Sequence, residues 1–102
     1  MSIKKEYLTD KGICRVTFSL APAPDNSLKK VCIVGDFNNW DQKITTMRKR
    51  KGGSYSAIVE LKIGHAYQFR YLIDGTQWEN ESDADKQIPS PFPDSQNSVV
   101  II

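Results

Sequence analysis

The stretch "HAYQFRYLID", residues 65–74, alternates along its length. Tyr67, Phe69, Tyr71 and Ile73 fall on one side, and Gln68, Arg70, Leu72 and Asp74 on the other. Period two with an aromatic side is the pattern of an antiparallel strand that packs one face on a core and shows the other to water. Just upstream, "SYSAIVELK" (54–62) offers a matching inward set of Tyr55, Ala57, Val59 and Leu61. Two such strands, one rich in aromatics and one in small and branched residues, are enough to begin a two-sheet core.

Outward from this pair the same period recurs. "GICRVTFSLA" (12–21) reads as a first strand closed by the turn-forming "PAPDNS" (22–27), and "KKVCIVGDF" (29–37) as a second. The Asp74-Gly75 turn leads to a short strand in "TQWEN" (76–80). The irregular "IPSPFPDSQN" (88–97) precedes a final β-branched strand, "SVVII" (98–102). Residues 1–11 are expected to form a loose N-terminal segment. With no internal repeat and no long amphipathic helix, the fold expected is all-β, an antiparallel sandwich making one domain of residues 1–102.

The totals exclude several functions. A net charge of +2 on 102 residues does not call for a nucleic-acid or membrane partner. "MSIKKEYLTD" lacks the apolar segment of a secretory signal, which leads to a cytoplasmic expectation, either as a stand-alone small protein or as an excised domain. In "CRVTFSL" Cys14 shares the inward face, whereas in "VCIVGDF" the inward set Val31, Ile33, Gly35 and Phe37 puts Cys32 on the opposite one. Thiols on opposite faces are badly aimed for a bridge, so both are expected free. With one histidine, His65, beside the Gly64 turn, and no C-x-x-C, neither a metal nor another cofactor is expected.

Glu79, Glu81, Asp83 and Asp85 in "ENESDAD" are strung on one segment. A glycosidase needs two carboxylates flanking a bond, roughly 5 to 10 Å apart, so a solvated loop is expected here. "MRKRK" (47–51), followed by Gly52-Gly53, reads as a solvated hairpin, with contact to an acidic partner protein as the alternative. No nucleophile elbow and no phosphate loop occur, so no catalytic residue is assigned. What remains is two tryptophans in polar company. Trp40 ends "IVGDFNNW" and is expected to point outward from a loop, after Gly35 has let the chain leave the strand; Trp78 follows the Asp74-Gly75 turn. An indole stacks well on the C–H face of a sugar ring at low entropic cost. Arg70 and Asn97 are suited to hydrogen-bond sugar hydroxyls.

"VCIVGDFNNW", "YQFRYLIDGTQW" and "SQNSVVII", in this order and spacing, resemble carbohydrate-binding module family 48 over residues 13–102. That family includes the glycogen-binding domain of AMP-activated protein kinase beta subunits and the N-terminal domains of isoamylase and glycogen branching enzyme. The resemblance implies an immunoglobulin-like (early-set) sandwich that binds α-1,4-glucans such as glycogen, starch or maltooligosaccharides without catalysis. It implies stacking on Trp40 and Trp78, with Arg70 where the kinase-type site has lysine. Asn97 is implied as the sugar-binding asparagine, Ser95 stands in place of a threonine, and Phe92 is the apolar loop residue. One extra residue, Thr76 or Gln77, lengthens the turn before Trp78. A glucan-active enzyme or a kinase-type protein is the partner class implied. The alternative is a structural or protein-interaction domain of the same fold that has lost the sugar site.

Overall fold

A computed structural model of the chain describes residues 2–20, 30–75, 77–90 and 95–102. In chain order its strands are β1 (Ser2–Leu8), β2 (Ile13–Leu20), β3 (Val31–Gly35), β4 (Arg48–Lys49), β5 (Tyr55–Lys62), β6 (Ala66–Ile73), β7 (Gln77–Glu79), β8 (Lys86–Pro89) and β9 (Gln96–Ile101). One sheet runs β1-β2-β5-β4. The other runs β3-β6-β9-β8, with β7 also paired to β6, and all pairings are antiparallel. The two sheets pack as a sandwich of the immunoglobulin-like kind.

The alternation of β6 places Phe69 and Tyr71 wholly inside, where they meet Cys14, Val16 and Phe18 of β2, Val31 and Ile33 of β3 and Leu61 of β5. Phe18 stands edge-on to Phe69 with ring centroids 5.0 Å apart, a favoured aromatic geometry. Phe37, just beyond β3, closes this end by stacking on Phe18 at 6.1 Å. Cys14 lies in this core and Cys32 outside it; both are free.

Five expectations need correction. First, residues 2–8 are not loose: β1 pairs with β2 along its whole length, from Ser2↔Ser19 to Leu8↔Ile13. A lysine at the inward-facing position 5 disguises the strand. Its ammonium reaches across to the other sheet, 2.9 Å from both Asp85 Oδ2 and the Ile101 carbonyl.

Second, the acidic segment is not a solvated loop. Glu81 is fully buried, Asp85 clamps Lys5 and the Ile101 N–H, and the chain continues into β8 against β9. Third, Leu72 faces outward on β6 yet is buried, in a second apolar cluster with Cys32 and Val34 beneath Trp40. All five residues of β3 are therefore buried, those on one face in the core and those on the other under this cover.

Fourth, the basic run is a hairpin turn as expected, with Arg50 and Ser54 bonded through their backbones, but Met47 at its head is in the core. Residues 45–49 also cross between the sheets. Thr45 and Met47 bond Ile33 and Val31 of β3, and the next two residues, β4, pair with β5. The fifth correction concerns Gly35 and Trp40, whose geometry belongs to the site.

Candidate functional site

The site begins where β3 stops. Gly35 is fully extended (φ −172°), so it does not serve as a flexible exit. It is glycine because β6 passes too close: a Cβ there would lie 2.4 Å from the Gln68 carbonyl oxygen and 2.7 Å from Phe69 Cβ. Asp36–Asn38 form a single 3-10 turn, and Asn39 and Trp40 follow, both with left-handed φ of 57°. Asparagine adopts that region readily, a bulky tryptophan rarely.

Buried Asn38 holds the loop in shape. Its Oδ1 accepts the Gly35 N–H at 3.0 Å, and its Nδ2 donates to the Ile33 carbonyl at 2.9 Å and to Thr45 Oγ1 at 3.1 Å. The Trp40 N–H closes the loop onto the Gly35 carbonyl at 2.9 Å. Trp40 therefore does not project from a loop tip. It is partly buried on the outer face of the second sheet, over Cys32, Val34 and Leu72.

Trp78 reaches the same face by another route. β7 pairs with β6 so that Trp78 lies directly opposite Leu72, which on its other side is paired with Cys32. Paired residues share a face, so Cys32, Leu72 and Trp78 form one row across three strands. Trp78 is 41% exposed, and its indole N–H has no partner among the described residues.

The next row carries the hydrogen-bonding groups. Arg70 is paired with Val34, and Asn97 lies one step beyond the Phe69–Ser98 pair of β6 and β9. The Arg70 guanidinium donates from Nε to Asn97 Oδ1 at 2.6 Å and from Nη2 to Ser95 Oγ at 3.2 Å. Asn97 Nδ2 in turn donates to Gln68 Oε1 at 3.0 Å. Arg70, Asn97 and Ser95 are thus brought together. Phe92, the remaining residue named from the sequence, lies outside the described residues.

Two residues of this face were not singled out from the sequence. Gln68 is an outward β6 residue beside Arg70, so alternation alone could have found it. Asp36 is by residue type a turn former, which says nothing of its contacts. Its Oδ1 accepts the Trp40 indole N–H at 3.0 Å, and its Oδ2 accepts the Gln68 backbone N–H at 2.8 Å.

Glu81 supports the face from beneath. The Tyr71 hydroxyl donates to its Oε1 at 2.7 Å, the Asp83 N–H to Oε2 at 3.0 Å, and its own N–H donates to Ser98 Oγ at 2.8 Å. Burial, and then the Glu81 side chain, push the Tyr71 phenol far above its ordinary range, so it stays a donor. Glu81 thereby joins the chain leaving β7 to both β6 and β9. Among the described residues no three His, Cys, Asp or Glu side chains gather as a metal site, and no helix is long and apolar enough to cross a membrane.

A β-sandwich with indoles and a bonded arginine–amide set on one sheet face has the form of a carbohydrate-binding module. The chain belongs to carbohydrate-binding module family 48: the model described as the glycogen recognition site of AMP-activated protein kinase matches residues 25–98. It is also similar to two enzymes named 1,4-alpha-glucan branching enzyme GlgB. The one from Pseudomonas putida is 41% identical over 64 residues, 60% of this chain. The one from Synechocystis sp. is 36% identical over 64 residues, 61% of this chain. Each match spans 8% of the enzyme's length.

Proposed function

We propose that the chain is a non-catalytic module that binds α-1,4-glucan chains, such as glycogen, starch or maltooligosaccharides, on the outer face of its second sheet. The observation that carries the reading is that Trp40 and Trp78 occupy one face, on either side of Leu72, with Arg70, Asn97 and Ser95 in the adjoining row. Trp78 sits two strand spacings from β3, about 10 Å, so the platforms suit different residues of one sugar chain. Each indole offers an apolar face to a glucose ring. Arg70 has five N–H donors, and the two engaged by Asn97 and Ser95 fix its plane while leaving others for hydroxyls. Asn97 and Ser95 orient the guanidinium and border the same patch. The family match and the enzymes' names, both concerned with glucans, support this ligand class. A cytoplasmic location beside a glucan-active enzyme or kinase-type protein fits the same reading.

Titration of the 102-residue chain with maltoheptaose tests it. Indole fluorescence and the amide resonances of residues 68–72 and 95–99 are expected to move, and Trp40→Ala and Trp78→Ala each to weaken binding about tenfold. Unmoved signals at millimolar sugar would assign the face to protein contact instead, and release of reducing sugar by the pure chain would refute the non-catalytic reading.

A further inference from the structure

We infer that Asp36 is a positioning residue of the sugar face, tying the Trp40 indole to the β6 backbone and so holding it in its stacking orientation; this rests on the glucan reading above. The geometry begins with the end of the β3–β6 ladder. Gly35 is the last residue of β3 to pair with β6, opposite Phe69. The N–H of Gln68, one residue back along β6, has no β3 partner left, and Asp36 Oδ2 takes its place at 2.8 Å. The other oxygen of the same carboxyl group is then aimed outward, where it accepts the indole N–H at 3.0 Å.

The close approach that forbids a Cβ at Gly35 is what brings Asp36 within reach of that amide. A carboxyl group carries acceptors on both oxygens, and both are used here on donors that cannot bond each other. Trp40 is bonded to Asp36 and Asp36 to the backbone N–H of Gln68, while the Gln68 side chain bonds Asn97, which with Ser95 holds Arg70. The indole and the guanidinium are thus both anchored at Gln68, one through its backbone and the other through its side chain. Trp40 needs such a tether, because its left-handed backbone is unusual for a bulky residue and its side chain is only partly buried. Preorganising one side chain is worth about 0.5–1.5 kcal/mol in binding, which corresponds to about two- to tenfold in affinity.

The test uses Asp36→Asn, which keeps the shape but puts an amide NH2 against one of the two donors. In a 15N correlation spectrum the Trp40 Nε1–H resonance is expected to shift upfield and exchange faster with water, while the Trp78 resonance stays in place. The maltoheptaose Kd is expected to rise about two- to tenfold, and Asp36→Asn is expected to add nothing further in a Trp40→Ala background. An unchanged Trp40 resonance, or equal weakening with and without Trp40, would overturn the proposal. Should the unsubstituted chain bind no maltoheptaose, the glucan reading fails, and the Nε1–H resonance still decides whether Asp36 holds the indole. Should Asp36→Asn fail to fold, Asp36→Ser, too short to span both donors, replaces it in the same measurements.

Discussion

The two tryptophans share a face but are held in opposite ways. Trp40 is fixed on every side: its backbone by Asn38 and the Gly35 carbonyl, its indole by Asp36, its underside by Cys32, Val34 and Leu72. Trp78 stands on a three-residue strand, opposite Leu72 and substantially exposed, with its support coming indirectly through Glu81 two residues beyond β7. On the proposed glucan reading, the rigidly held indole would lose little entropy on binding, while the looser one would let the face adapt to the shape of the sugar chain.

The comparison can be broken most severely at Gly35. Gly35→Ala puts a methyl group against the β6 backbone, where no flexible side chain can yield, and is expected to destabilise the fold by about 3 kcal/mol or more. Urea unfolding measures this, and near-wild-type stability would mean that β3 and β6 are not so closely apposed. On the other side, Glu81→Ala leaves the buried Tyr71 hydroxyl without an acceptor, at about 2–3 kcal/mol. Urea unfolding gives the cost, and the Trp78 indole resonance is expected to broaden while that of Trp40 stays sharp. Equal effects on both indoles would abolish the distinction between the two anchors.

The smallest effect, at Asp85, bears on neither indole and sharpens the contrast as a control. Burial alone would raise the Asp85 pKa, but the Ile101 N–H and the Lys5 ammonium outweigh it, and the pKa lies below its ordinary value. A depressed carboxyl pKa contributes stability that is present above the unfolded value, about 3.9, and is lost as the pH falls through the folded one. Melting temperatures are therefore expected to drop below about pH 4 more steeply in the unsubstituted chain than in Asp85→Asn, with sugar affinity at neutral pH the same in both. Parallel curves would remove the Lys5–Asp85 clamp as a source of acid sensitivity.

Much of this was written in the period-two pattern. Six strands, β2, β3, β5, β6, β7 and β9, follow from it and from the turns between them, as do the inward sets of β2, β3, β5 and β6 and the separation of the two cysteines. The outward position of Arg70 was legible too, because β6 alternates so cleanly, but Trp40 was expected to project from a loop and instead lies against the sheet. The pattern failed where a residue does a job its class does not advertise. Lys5 occupies an inward position in order to bond the opposite sheet, which hid β1, and two-residue β4 is too short to alternate. Glu81 looked solvated among other acids. The signal for its burial lay in Tyr71 and Ser98, inward-facing hydroxyls that require partners inside. The role of Asp36 depends on where the β3 ladder ends, which is a fact of pairing rather than of composition.

The strand β6 has a single neighbour on one edge but two in succession on the other, β9 along Ala66–Phe69 and β7 along Tyr71–Ile73. Arg70 stands at the junction, between two ladders that need not open together. Local opening can release the short β7 ladder, with Trp78, while β9 keeps its grip on the other half of the strand. In native-state hydrogen exchange the molecule should accordingly divide at this arginine into a durable half bearing Asn97 and a breathing half bearing Trp78. The proposed sugar face would then be assembled across the boundary of two cooperative units, and a sugar chain bound there would act as the fastening between them.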